Sequence, residues 1–464
     1  MQNNTLINTN FRTLIRGSIW GAALALVLGV SYLPPCALGA DYSLTGSNPS
    51  SGVYRDWSNT SFWTPTGYPN GATDIANINI AWSSSGRGLT VDSDMTVNQL
   101  LVGTSNSTTT GFGSVAIKSS TGNALSIGAS GADGYFGVGS TTGDKGAQGT
   151  LTFETGVVVT LHGGSFDVAS RASSSGVSNT GLQGTVTVGS GAVLNVGTSA
   201  NRTEWNIART ISTDSYQLRG TVDAASGSSV NASLTTLRVA VMPGNSTGGV
   251  AVDSYGTLNL SNATVKTFDV SGDVEIGRGR KWNGSGSGNL TGTWNMGNAS
   301  VSIGGDLLVG DIAAYDKTKG FATFNGTQVA VAGNFVIGEH GDIDVKVNGI
   351  SAGIELGASS TLTINATNGY SITFEEPNSL DTLYYGLSWE GNHLTALQSL
   401  ITGSKISWIN NTSYDIDAYY NVGENLTYVG VIPEPNTAIL AMSGMVCLLF
   451  LSRRRPRVSG RLQP

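Results

Sequence analysis

The sequence predicts an all-β chain, a right-handed parallel β-solenoid of about 36-residue repeats with terminal caps and a single hydrophobic helix at the C-terminus. Three observations lead there. First, a Gly followed by Thr or Ser and then an alternating strand recurs at Gly113, Gly149, Gly184, Gly220, Gly256 and Gly292. The successive spacings are 36, 35, 36, 36 and 36, and another unit opens 28 residues later at Gly320. Second, each unit holds about three short stretches that alternate with period two, as half-buried strands do. Gly149 to Phe153, Val157 to Leu161 and Ser165 to Ala169 form one such set, and a polar excursion, Arg171 to Gln183, follows it. Third, only 12% of residues are charged while 64 are Gly, and Ser, Thr and Asn supply the polar surface. These residues accept the positive φ of turns and rank low as helix formers. With 39% of residues hydrophobic and periodically placed, low-complexity disorder is the weaker reading.

A strand triplet cannot bury its apolar face alone, whereas stacked triplets share one core. The residues expected to point inward include Leu151, Phe153, Val186, Val188, Leu258, Leu260, Trp294 and Met296. The repeated glycines are expected at corners, where a Cβ would clash. One sequence does not fix strand direction, so an antiparallel sandwich is the structural alternative.

The flanks differ from the repeats. Residues 1–40 read as a secretory signal: Arg12 and Arg16 precede an apolar run, Ile19 to Val30, and Ala37-Leu38-Gly39-Ala40 offers small residues for cleavage. An uncleaved anchor is the alternative, although the run is shorter than the ~20 residues a span needs. Residues 41–110 are richer in Trp and Pro and form an N-terminal capping segment ahead of the repeats at 111–349. Residues 350–432 lose the period and read as a C-terminal cap, with helical spacing of Leu394, Leu397 and Leu400 between Glu390 and Leu400. Residues 433–464 have three parts in order: Pro433-Glu434-Pro435, an apolar run from Thr437 to Leu451, and the basic cluster Arg453-Arg454-Arg455. The apolar run is a transmembrane candidate, and the basic cluster is placed to stay cytoplasmic.

This tripartite end resembles the PEP-CTERM sorting signal of Gram-negative, exopolysaccharide-producing bacteria, also labelled the C-terminal region of ice-binding proteins. The resemblance covers about thirty residues. It implies recognition by a membrane sorting protease of the exosortase type, cleavage near the motif, and transfer of a membrane-anchored precursor to the cell surface. Trp57, Trp63, Pro69, Asp74 and Ala76, with the strand ending in Leu100-Leu101-Val102-Gly103, resemble the opening segment of autotransporter-passenger-like proteins. That likeness implies a cap over the first coil.

Charge and chemistry narrow the function classes. Seven of the 24 Lys and Arg lie outside 41–432, against one of the 31 Asp and Glu, leaving 17 basic and 30 acidic residues in the body. An acidic body repels phosphate backbones, which argues against a nucleic-acid partner. The two cysteines, Cys36 and Cys447, lie in the terminal segments, so the body has no thiol for a disulfide, a nucleophile or a zinc ligand. His162, His340 and His393 are far apart in sequence and form no ligand set. Asp342 with Asp344, Glu375 with Glu376, and Asp415 with Asp417 are carboxylate pairs, which read as solvated turn acids. Gly137-Val138-Gly139 precedes no helix and is no phosphate cradle. Arg278-Gly279-Arg280-Lys281-Trp282 is a basic-aromatic loop that suits an acidic glycan, with Trp282 stacking on a sugar. Thr150-x-Thr152 and Thr185-x-Thr187 have the form of an ice-binding face, but Thr221-x-Asp223, Thr257-x-Asn259 and Thr293-x-Asn295 break it.

No catalytic, metal or cofactor site is assigned. The expected role is that of an exported, surface-sorted, non-enzymatic protein, structural or adhesive, with extracellular polysaccharide as partner. A carbohydrate-active β-helix lyase or hydrolase is the alternative, and ice binding the second.

Overall fold

The computed structural model describes residues 39–433 outside the segments 46–52, 81–87, 106–110, 130–131, 142–145, 171–180, 211–216, 243–252, 280–287, 312–317, 348–352, 366–371, 376–383 and 410–413. The predicted signal segment, nearly all of the predicted sorting segment and the expected C-terminal hydrophobic helix lie outside the described residues. Among the described residues no helix is long and apolar enough to cross a membrane.

The chain is an all-β parallel β-solenoid. Each coil lays down three strands in turn, such as Ala147–Phe153, Val158–Leu161 and Gly164–Val168. Each strand then pairs in parallel with its counterpart one coil away, giving three ladders. The first ladder is a sheet of 12 strands. The second and third belong to one 23-stranded sheet, because the 14-residue strand Ser229–Met242 contributes to both. Strand direction, open in the sequence, is thus parallel.

The glycine repeat is the register of the first ladder. Gly113, Gly149, Gly184, Gly220, Gly256, Gly292 and Gly320 are direct cross-strand neighbours, and Gly341 extends the column. Their location corrects one expectation: these glycines sit within strands, facing inward, and not at corners. The reason is a close approach. A Cβ on Gly149 would lie 2.3 Å from the Val102 carbonyl oxygen and 2.4 Å from the Gly139 nitrogen. The corner itself, after each third-ladder strand from Gln99–Val102 to Leu307–Val309, is turned by a residue at positive φ. Gly139 occupies it at φ 59°, but Ala169, Ala208 and Ala240 hold the same position at 51°, 53° and 54°. Alanine pays a modest strain there and fills a small apolar space with Leu182 and Leu218.

All eight residues expected inside are fully buried. The bulky ones form a column up the solenoid axis. Phe136 and Phe166 stack at 4.3 Å between ring centroids, Phe166 and Trp205 at 5.3 Å. Phe268, Trp294 and Phe324 continue the column at 6.5, 5.4 and 5.3 Å steps. In-register pairing across most of the coils brings like side chains into contact, so one core runs along the solenoid.

Both ends are closed. At the N-terminal end Trp57 and Trp63 are buried with centroids 5.2 Å apart. The Trp57 indole N–H donates to the Pro69 carbonyl and that of Trp63 to the Trp57 carbonyl, each at 2.9 Å. Ladder strands already begin within 41–110, at Tyr54–Asp56 and Ile75–Ile78. At the other end parallel pairing continues to Ile406–Ile409. Tyr384–Glu390 then pairs antiparallel with Leu426–Pro433, which pairs antiparallel with Tyr414–Asn421. The helix Leu394–Thr402 lies between, burying Leu397. The antiparallel hairpin takes the place of a further parallel coil on the second ladder.

Candidate functional site

The residues singled out in the sequence do not assemble into one site. Trp282, Arg280, Lys281, Glu434, Pro435, Arg453, Arg454 and Arg455 lie outside the described residues. Pro433 ends the last strand, opposite Tyr414. Arg278 ends up on the third ladder, where its guanidinium bonds Glu275 at 3.1 Å. His162 and His340 sit half-buried in separate turns. His393 stacks on Trp389 at 3.7 Å and its backbone N–H donates to the Thr427 hydroxyl, pinning the helix to the hairpin. Among the described residues no three His, Cys, Asp or Glu side chains converge as a metal site would need.

The outer face of the first ladder carries the Thr column. Thr150, Thr185, Thr221, Thr257 and Thr293 are aligned rung by rung, while the adjacent column passes from Thr152 and Thr187 to Asp223, Asn259 and Asn295. Asn259 donates to Asp223 at 2.7 Å, so these side chains bond along the ladder. Farther up, Asp342 and Asp344 share this face, and Lys346 pairs with Glu375 at 2.9 Å.

Burial, and next the neighbouring Asp344, push the Asp342 carboxyl up to about 6 from 3.8. A carboxyl whose folded pKa is raised binds its proton more tightly when folded. Stability is therefore lost as pH rises from 3.8 to about 6, and the penalty is fully present above that window. Asp342→Asn is expected to stabilise the protein at neutral pH by ~1 kcal/mol, discounted for half exposure. The gain should vanish below pH ~4. Thermal unfolding at the two pH values checks this, and an equal gain at both would contradict it.

The outer face of the third ladder holds a charged network. Asp167, Asn206, Arg238 and Glu275 are aligned on successive rungs. Asp167 accepts from Ser165 at 2.7 Å and Asn206 at 2.8 Å. Arg238 reaches Glu204 at 3.4 Å and Glu275 at 3.3 Å, and Arg209 reaches Glu204 at 3.8 Å. Burial raises the Asp167 carboxyl against these bonds, and burial followed by the charge of Asp167 raises the Tyr135 phenol. Three acids face three arginines, most of them buried or half-buried. Most of these groups bond one another, so this network ties coils together.

The second ladder is different at its C-terminal end. There its outer face opens as a cleft of about 400 Å³. Ser302, Ala330, Glu355 and Ser388 follow one another along its floor, one per rung, with Glu390 and Leu426 at the side. The same column continues into the hairpin as Tyr428 and Tyr419. Tyr385 joins them: ring centroids lie 4.6 Å (Tyr385 to Tyr428), 5.2 Å (Tyr419 to Tyr428) and 5.8 Å (Tyr385 to Tyr419) apart.

Tyr385 reaches this face through a local irregularity. Strict alternation would send it inward with Leu387 and Trp389. A register shift between Tyr385 and Leu387 turns it outward, opposite Gly430. Gly386 sits at the shift, where a Cβ would meet the Phe374 ring at 2.4 Å.

The polar groups around the platform are acidic. The Tyr428 hydroxyl donates to Glu424 at 2.7 Å, as does the Asn421 side-chain amide at 2.8 Å. Burial, then the bond to Glu424, push the Tyr428 phenol up to about 12. Burial and a hydrogen bond to Tyr385 raise Tyr419 further. Tyr419 and Tyr428 are therefore neutral at physiological pH and can donate and accept hydrogen bonds. Gln328 donates to Glu355 on the cleft floor. Among the described residues no Lys or Arg lines the cleft.

Sequence reasoning did not find this site. Its signal was the crowding of Tyr384, Tyr385, Tyr414, Tyr419, Tyr420 and Tyr428 into the last part of the body, out of 15 Tyr in the chain. Comparison with family models, curated proteins and solved structures finds no match to this chain.

Proposed function

We propose that this chain is an exported, surface-sorted, non-enzymatic protein that binds extracellular polysaccharide at the tyrosine platform and its cleft. The observation that carries the reading is the continuity of Tyr385, Tyr419 and Tyr428 with an open, polar-floored cleft on one solenoid face. A sugar ring offers an apolar C–H face and a rim of hydroxyls. Aromatic rings take the first, while carboxylates and Ser hydroxyls take the second. An open cleft along a rigid ladder suits a polymer that enters from the side. The signal-like segment at 1–40 and the PEP-CTERM-like end at 433–464 support placement at the surface through a sorting protease of the exosortase type. The site would then lie at the anchored, C-terminal end of the solenoid, with the earlier coils stacked beyond it.

Co-sedimentation with the producing cell's own exopolysaccharide tests the proposal. Tyr419→Ala with Tyr428→Ala is expected to weaken binding about tenfold or more, since each lost ring contact is worth ~0.5–1.5 kcal/mol. Unchanged sedimentation of the double variant would refute it.

A hydrolase is the second reading, favoured by one observation: Glu355 and Glu390 line the same cleft. Paired carboxylates can cleave glycosides, but a general acid is ordinarily set in a buried, apolar surround, and these two are exposed. Release of new reducing ends from the bound polysaccharide, lost in Glu355→Gln, would establish it.

A further inference from the structure

We infer that the polysaccharide bound in this cleft is an amino-sugar polymer bearing free ammonium groups. The inference rests on the polysaccharide-binding reading and adds the ligand's charge.

Three features point there. Glu355 lies on the cleft floor and Glu390 at its side, and among the described residues no Lys or Arg lines it. Glu424 borders the tyrosine platform through its bond with Tyr428, and Asp417 is placed opposite Gly430 on the hairpin. Beyond Ser302 the column continues to Asp269, which is already paired with Arg202 at 2.5 Å. A uronic-acid polymer would meet unscreened like charge here, whereas an ammonium group would form charge-assisted hydrogen bonds to Glu355 or Glu390. The platform adds to this, because tyrosine faces attract cations.

The geometry also fits a linear polymer. Ser302, Ala330, Glu355, Ser388, Tyr428 and Tyr419 occupy six successive strands of one column. Strands are ~4.8 Å apart, so the column is ~24 Å long. That accommodates several sugars in an extended chain, with a carboxylate near the middle and aromatic rings at one end.

The charge is opposite to that of the sequence run Arg278-Gly279-Arg280-Lys281-Trp282. Arg278 is drawn to Glu275 on another ladder, away from this face.

Titration calorimetry with the full-length protein tests the inference, at mildly acidic pH and low salt. The probes are β-1,4-linked glucosamine oligosaccharides, their fully N-acetylated counterparts, and oligogalacturonates of equal length. The glucosamine series is expected to bind about tenfold more tightly than the N-acetylated series, equivalent to ~1.4 kcal/mol. Oligogalacturonate should bind most weakly. Added salt, or Glu355→Gln with Glu390→Gln, should erase the preference. Both glutamates are exposed, so neither substitution disturbs the core.

Equal binding of the amine and N-acetyl series, still lost in Tyr428→Ala, would overturn the charge inference and leave polysaccharide binding standing. Preferred binding of oligogalacturonate would do the same. Failure of all three probes, together with failure to sediment with the native exopolysaccharide, would overturn the polysaccharide reading itself and the inference with it.

Discussion

Trp205→Ala is expected to cost ~4 kcal/mol, the largest effect of any single substitution considered. Trp205 is fully buried between Phe166 and Phe268, at 5.3 and 6.5 Å, in the middle of the aromatic column. Removing it leaves a cavity bounded by rings that cannot collapse, because backbone hydrogen bonds on three ladders fix the coils above and below. A solenoid's stability is a sum of coil and nearest-neighbour terms, so the damage should be local at first. Hydrogen exchange is therefore the right measurement. Protection should fall in Gly164–Val168, Thr203–Ile207 and Ser229–Met242, and stay near its original level in Gln328–Val331. Trp205→Phe gives the control. It keeps the stack and removes an indole N–H that is buried without a hydrogen-bond partner. It is expected to cost ~1 kcal/mol or less. Comparable loss in both variants would contradict the packing account.

Arg238→Ala ranks second, at ~3 kcal/mol. Arg238 bridges Glu204 and Glu275 and also donates to the Asn206 side-chain oxygen at 3.3 Å. The Glu275 side chain is only 5% exposed. The loss of Arg238 takes one cation from that carboxylate in a poorly solvated place, although Arg278 still bonds it. Breaking a buried pair from one side costs more than the pair was worth, because the surviving charge stays desolvated. Arg238→Lys retains the charge but not the fork that reaches two acids and an amide at once, and should recover about two thirds of the loss. Chemical denaturation of the three proteins side by side checks the order. An alanine variant as stable as the parent would show that the network contributes nothing to the coil stack.

How much of this was legible in the sequence depended on whether a feature repeats. The register of the first ladder was readable because a close backbone approach demands Gly at the same place in each coil, from Gly113 to Gly320. The inward Leu, Val and aromatic residues followed from period two. The corners were less readable. Ala169, Ala208 and Ala240 take a positive φ that composition would assign to Gly, so the within-strand glycines were placed there instead. The charged network escaped notice because its members are about one coil apart, and only pairing brings Asp167, Asn206 and Arg238 side by side. The tyrosine cleft was hidden for a different reason. It forms where the repeat ends, through an antiparallel hairpin and one register shift at Gly386 that reverses the facing of Tyr385. Strict alternation predicts the opposite face. Local irregularity defeats periodic reasoning at the very place where the surface becomes distinctive.

The central claim is that polysaccharide rests on the tyrosine platform. Oxidative footprinting of the full-length protein, with and without saturating exopolysaccharide from the producing cell, tests it most directly, since tyrosine rings are labelled according to their solvent exposure. Protection of Tyr385, Tyr419 and Tyr428, with exposed Phe112 and Tyr255 on the first ladder still labelled, is the predicted result. Protection of Phe112 and Tyr255 with the three platform tyrosines unchanged would contradict the account and move the binding surface to the threonine-lined face.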